Sequence, residues 1–250
     1  MPMDSWSRIR AESLLFEDDA VLALNKPVGI AVTGERHDTD LVRLAAEAGE
    51  ELFPVHRIDK VTSGLILFAR RLSDHGALTR QFNKRTVDKA YLVITETTGL
   101  PPAGRVELPL SVGRKNRVRI AAPREAIVAD PQGGHWTVPE TELLDTKRYP
   151  AITDFTTRWY DDRSTLLVVR PRTGRRHQIR VHLAWIGHPI LGDPLFDKAG
   201  TAARTYLHSW QLGFDAAWRG GERLQLVAPP RAEFWAPIGG PVDLDPADGR

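Results

Sequence analysis

The segment His56-Arg57-Ile58-Asp59-Lys60-Val61-Thr62-Ser63-Gly64 sets charged and hydroxyl side chains between the apolar runs LFPV and LILFA. A carboxylate at the end of a strand bound for the interior loses hydration, so Asp59 must gain a partner or take up a proton. Two readings follow. In one, Asp59 is an ionised carboxylate available for chemistry; in the other, it belongs to a buried ion pair or opens a Thr-Ser turn. A hydrolase built on Ser63, Asp59 and a histidine is a further possibility, but the G-x-S-x-G elbow is absent. His177, His182 and His188 do not suggest a metal. His177 and His182 are five residues apart, which puts them on different helix faces, and no acidic third ligand sits at the usual spacing. The glycines near Gly113 and Gly174 lack the P-loop arrangement, which disfavours nucleoside triphosphate chemistry.

Charge is distributed unevenly around these residues. The net charge is only +2, yet 70–89, 105–124 and 170–182 are strongly basic, the last with five arginines and no acid. Acid collects near the ends, in Glu17, Asp18 and Asp19 and in Asp243, Asp245 and Asp248. Any one basic run can be a solvated face, but three together point to a polyanionic partner. Hydrophobic residues make up 42 % of the 250 residues, enough for a sizeable core. No apolar run approaches the roughly 20 residues of a membrane span. There is no cysteine, and the N-terminus MPMDSWSRIR lacks an apolar signal core, so a cytoplasmic protein without disulfides or thiolate metal sites is expected.

The elements that must position Asp59 are legible from periodicity. AVLALNKPVGIAV reads as a strand, a turn at Lys26-Pro27 and Gly29, and a second strand. Leu41, Leu44, Ala45 and Ala48 recur at helical spacing, and 64–69 is β-prone. Ser73 looks like the N-cap of a helix running to about Asn83, and 90–95 reads as the next strand. Between Arg105 and Ala122, basic and apolar residues alternate as in hairpin strands with one wet face. The Pro- and Gly-rich stretch 122–151 reads as a long mobile surface excursion. Next come paired strands over 153–160 and 164–170, and HQIRVHLAWIG forms a helix ended by Gly187. The predicted class is α+β, a single domain on a large, mostly antiparallel mixed sheet flanked by helices and loops.

FPVHRIDKVTSGLILFAR resembles the central motif of RluA-type RNA pseudouridine synthases, in which His-Arg-Leu-Asp, two variable residues and Thr-Ser-Gly carry the catalytic aspartate; Ile58 replaces the usual Leu. DDAVLALNKPVGIAV resembles the family's N-terminal motif. TGRRHQIRVHLAWIGHPILGDPLF, followed by LHSWQLGF, resembles its C-terminal one. Long blocks in one order, from about Asp18 to Ile238, are far more specific than a short pattern. The resemblance implies a catalytic domain over 18–238, between an extension over 1–17 and a tail over 239–250, with an RNA-binding cleft across the sheet. Members of such families often carry an N-terminal S4-like RNA-binding domain, and with only about 17 residues before the first matched motif none is expected here, a departure from that pattern.

By matched position, Asp59 is the implied catalytic aspartate, Tyr91 in KAYLV the tyrosine that stacks on the target uracil, and Arg180 in HQIR the partner of the aspartate. Arg57 is the implied filler of the space left by the extruded base. His56, Thr62, Arg175 and His177 are the remaining candidates for RNA or base contact, and the loop Thr173–Arg176 is read as RNA-facing. The implied reaction breaks the bond from ribose C1′ to uracil N1, turns the base over and joins C5 to C1′, consuming nothing. No cofactor or metal is needed. An ionised carboxylate can attack C1′, add to C6 or remove the 2′ proton, and Arg180 would keep it ionised. The implied partner is structured RNA, tRNA or ribosomal, bound by a monomer. A non-catalytic RNA-binding module is the rival reading, and the presence of Asp59, Tyr91 and Arg180 together speaks against it.

Overall fold

The computed structural model describes residues 5–34, 39–130, 133–197, 200–245 and 247, so Asp248 of the acidic C-terminus lies outside the described residues. In chain order the elements begin with α1 (Ser5–Ser13), β1 (Leu14–Glu17), β2 (Val21–Lys26), α2 (Leu41–Glu47), β3 (Phe53–Pro54), β4 (Ser63–Ala69) and α3 (Leu72–Lys84). Next are β5 (Asp88–Thr95), β6 (Ala103–Glu107), β7 (Leu110–Val112), β8 (Val118–Ile120), β9 (Val128–Ala129) and β10 (His135–Thr137). The chain then forms β11 (Ile152–Tyr160), β12 (Thr165–Pro171), α4 (Gln178–Trp185), β13 (Leu207–Ala216) and β14 (Glu222–Val227). Two compact units emerge, one from the residues up to Lys89 with Leu207–Arg231, the other from Ala90–Tyr206 with the residues after Arg231. Among the described residues, no helix is long and apolar enough to cross a membrane.

The first unit is a sheet in the order β1, β2, β4, β13, with β14 on β13 and β3 on β4. β13 runs parallel to β4, and the other pairings are antiparallel. Every residue of β2 and β4 is buried, so both faces are covered. Val21, Ala23, Leu65, Leu67 and Leu212 pack with Leu78 of α3, which presents its apolar stripe to the sheet. Leu22 and Leu24 alternate to the opposite face, and α1 packs against β2. The stretch expected as an N-terminal extension thus contributes α1 and β1, with Trp6 buried and its Nε1 donating to Glu50 at 2.9 Å.

Three local expectations are corrected here. The second strand of AVLALNKPVGIAV is absent, and Ala31 makes only an isolated bridge to Asp40. The buried Lys26 ammonium draws the chain into a loop, donating to Pro27 O at 2.9 Å and Ile30 O at 2.8 Å. Ser73 lies inside the first turn of α3 rather than capping it; Arg71 is the N-cap, and it pairs with Asp74 at 2.8 Å. Asp40, not singled out by periodicity, caps α2 by accepting from Arg43 N at 2.9 Å.

The second unit orders its strands β5, β12, β11, β6, β10, β9, with β6 and β10 the parallel pair. The predicted strands over 153–160 and 164–170 are β11 and β12. β7 and β8 form a separate hairpin. The excursion over 122–151 is not wholly outside the sheet, because β9 and β10 extend it beyond β6. α4 packs against β8, β11 and β12, and Gly187 just after it is left-handed, as the helix-stop reading requires.

Gly64 decides how closely β4 and β13 approach. Its φ is +103°, and a Cβ there would overlap the backbone of Ser209. Gly64→Ala is expected to destabilise the protein by roughly 3 kcal/mol or more, since steric overlap with backbone adds to the left-handed penalty. Chemical denaturation checks this, and a loss under about 0.5 kcal/mol, the range of ordinary surface changes, would contradict it.

Candidate active site

Asp59 sits in the first unit, half-buried, on the turn that leads into β4. Its carbonyl accepts from Thr62 N at 3.0 Å, closing the turn. The next carbonyl, of Lys60, accepts from Gly29 N at 2.9 Å and from Lys26 Nζ at 3.4 Å. Lys26, fully buried, therefore ties the loop after β2 to the loop that carries Asp59. Backbone carbonyls around a lysine are how a buried ammonium is made tolerable.

The neighbours of Asp59 divide by exposure. Arg57 is exposed and faces solvent. Thr62, a candidate for RNA contact, is buried where the chain turns inward at the start of β4. His56 has a structural role: its Nε2 accepts from Leu67 N at 3.1 Å and its ring stacks on Phe82 at 4.6 Å. His56 retains some exposed surface, but that packing strips the ring of water and, with the Lys89 charge adding to it, pushes the pKa down to about 3.

Ser63 donates to Nδ1 of the buried His208 at 2.8 Å, and His208 Nε2 donates to Ala228 O at 2.9 Å. This Ser-His contact lacks the features of a hydrolase. Ser63 is itself buried, and the far nitrogen of the imidazole meets a carbonyl where a triad needs a carboxylate. The bond instead pins β4 to β13 immediately after the Asp59 turn.

Tyr91, Arg175, His177 and Arg180 lie in the second unit. Tyr91 is half-buried on β5, opposite Val169 of β12. The Thr173–Arg176 loop is held from below by Gln178, the first residue of α4. Gln178 Oε1 accepts from Thr173 Oγ1 at 2.6 Å and Arg175 N at 3.1 Å, while Nε2 donates to Ile152 O at 2.9 Å and Thr153 Oγ1 at 3.0 Å. All four hydrogen-bonding positions of the amide are used. Thr173 is therefore buried, a correction to its RNA-facing reading. Arg175 places its guanidinium over the Tyr149 ring and its Nε on Pro150 O at 3.3 Å.

Arg180 is buried and bidentate with Asp193: Nε to Oδ2 at 2.7 Å and Nη2 to Oδ1 at 2.8 Å. Asp193 was missed in the sequence, although GDPLF showed the same signal as the Asp59 segment, a carboxylate inside an apolar run. Beside this pair lies a cavity of about 1420 Å³, lined in part by Arg114, Lys115, Arg117, Arg119, Arg124, Arg176 and His177, with Phe196 and Trp185. No Asp or Glu is among its described lining residues. Arg176, unassigned from sequence, lines this cavity and donates to Asn116 O of the β7–β8 turn, whereas Arg175 does not line it. Other basic residues are spent on acids: Arg105 and Arg172 both hold Asp154 at 2.7 Å.

A family model described as RNA pseudouridylate synthase matches residues 20–185. This chain belongs to the RNA pseudouridine synthases. The synthase is 34 % identical over 220 residues to a dual-specificity RNA pseudouridine synthase RluA of Vibrio vulnificus, covering 85 % of this chain and 79 % of the relative. It is 36 % identical over 191 residues to a tRNA pseudouridine synthase C of Pasteurella multocida, covering 72 % of each. The fold also matches human RNA Pseudouridylate Synthase Domain Containing 4 with a TM-score of 0.72 at 24 % identity, covering 92 % of each chain. Among the described residues, no three His, Asp or Glu side chains group as metal ligands.

His182 of α4 anchors the helix that carries Arg180. Its Nε2 donates to Leu108 O at 3.0 Å and its Nδ1 accepts from Thr153 Oγ1 at 2.9 Å, a pattern only the neutral ring satisfies. Burial pushes its pKa down to about 4, against an opposing pull from the Leu108 carbonyl. Unfolded histidine takes a proton near 6.5, so the stability from this ring is full above that pH and is lost as pH falls towards 4. Between those limits the loss is roughly 3 kcal/mol. His182→Gln is expected to lose stability less steeply over the same range, checked by urea denaturation at pH 7 and 4.5. Parallel pH dependence in variant and wild type would refute this role.

Proposed function

We propose that the synthase converts specific uridines in structured tRNA or ribosomal RNA to pseudouridine, with Asp59 as the catalytic carboxylate. In this reading Tyr91 stacks on the uracil, Arg180 serves as the cation for the Asp59 carboxylate, and exposed Arg57 fills the space left by the base. The observation that carries it is the matched span 20–185, within which Asp59, Tyr91 and Arg180 all fall. The relatives named for tRNA and for dual specificity support an RNA substrate.

The chemistry is internal to the substrate. The C1′–N1 bond breaks, the detached uracil turns, C1′–C5 forms, C5 loses its proton and N1 ends protonated. The protein needs only a charged carboxylate, a ring face and a fixed cation. The Asp59 turn is clamped through Lys60 O to Lys26 and Gly29, which limits the motion of the carboxylate's own backbone. Asp59→Asn is expected to abolish pseudouridine formation while leaving the thermal midpoint and RNA affinity near wild type. Release of tritium from 5-tritiated uridine in a tRNA or rRNA transcript measures this, and wild-type turnover in the variant would overturn the assignment.

The acid-free cavity is the proposed path of the phosphodiester backbone. Arg114, Lys115 and Arg117 are exposed on the turn between β7 and β8, where Gly113 N donates to Arg117 O at 2.8 Å and presents them together. Arg114→Ala and Arg117→Ala are each expected to weaken RNA binding and to lower the slope of log Kd against log salt by about 1. An unchanged slope in both variants would place the backbone elsewhere.

A further inference from the structure

Asp193 is more than a counter-ion. Arg180 is 3 % exposed and Asp193 0 %. At that burial, desolvation of two charges offsets much of their attraction, so stability alone is a poor reason to keep the pair. What a bidentate contact supplies is direction. The Asp193 carboxylate takes Nε–H and one Nη2–H, fixing the guanidinium in its own plane. The Phe196 ring lies over the guanidinium carbon at 5.5 Å from its centroid and fixes the tilt.

The clamp is itself held. Asp193 Oδ1 also accepts from Leu195 N at 2.9 Å and Phe196 N at 3.3 Å, and the Asp193 carbonyl accepts from Asp197 N at 2.9 Å. Gly192 before it has φ +71° and no room for a Cβ against Arg204, which locks the entry to the turn. The ring of Phe196 also lines the basic cavity.

We propose that Asp193, with Phe196, is a positioning residue for pseudouridine formation: it aims the opposite edge of the Arg180 guanidinium, Nη1 with the second Nη2–H. This inference rests on the reading above, in which Arg180 serves the catalytic carboxylate. An error in the direction of Arg180 then misplaces the cation on which the proposed chemistry relies. A displacement of about 1 Å at a reacting group costs on the order of 100-fold in rate.

The test is single-turnover pseudouridine formation at saturating enzyme, with RNA Kd and thermal midpoint measured beside it. In folded Asp193→Asn, the rate constant is expected to fall about 100-fold with Kd within about twofold of wild type, a split that a purely structural role would not produce. In an Arg180→Lys background the same substitution is expected to add little, because both changes act through one group. Wild-type rate in Asp193→Asn, or an equal loss in both backgrounds, overturns the proposal. Where Arg180→Lys is already at background, the split between rate and Kd in Asp193→Asn decides alone. Should Asp193→Asn not fold, Phe196→Leu carries the test: about a tenfold slower rate at unchanged Kd supports the clamp, and wild-type rate overturns it. Asp59→Asn is assayed in parallel. Activity there refutes the active-site reading itself, whereas a dead Asp59→Asn with an unaffected Asp193→Asn refutes only the positioning role.

Discussion

Arg180 carries a charge into the interior of the second unit, and a guanidinium at that depth is tolerable only against a carboxylate that meets a full edge of it. Asp193 does so, and much of the surrounding geometry follows from that demand. The turn Asp193–Asp197 has to be tight, Gly192 has to be left-handed to enter it, and Phe196 comes to lie over the guanidinium face. On the other side, α4 must start where Gln178 can reach β11, and His182 must meet Leu108 and Thr153 one turn later. The helix is fixed at both of these points by polar groups buried together with their partners.

The first unit buries a charge as well, and backbone carbonyls help to hold it. Lys26 is buried against carbonyls of Pro27, Ile30 and Lys60, and in satisfying its ammonium it draws two loops together. Ser63 and His208 add a second tie, between β4 and β13, and the glycine at 64 allows those strands to approach. Asp59 stands between these ties. Thr62 N on the Asp59 carbonyl and Gly29 N on the Lys60 carbonyl fix the backbone of the turn that carries it.

The basic residues divide between these structural tasks and the solvent. Arg105, Arg172 and Arg180 spend their charge on Asp154 and Asp193, while Arg114, Lys115, Arg117 and Arg176 border a cavity with no acid among its described lining residues. Charge counted along the chain cannot separate these groups, since neighbours in sequence such as Arg175 and Arg176 have different surroundings. A field strong enough to hold a polyanion arises where cations collect without acids, and that is a property of the folded surface.

The sequence by itself determined the family, the order of the motifs and most of the strands and helices. Those features are written in local periodicity and in long contiguous blocks, which one-dimensional reading captures. It misjudged the loop after Lys26, the cap of α3 and the exposure of Thr173, because each depends on what lies across a turn or a sheet. It overlooked Asp193 and Gln178 for the same reason: a buried polar side chain is explained by its partner, and the partners here are 13 residues away for Asp193 and up to 26 away for Gln178. Tertiary structure decided which charges are consumed inside the protein and which face the solvent, since burial forces pairing and burial is set only when the chain has folded.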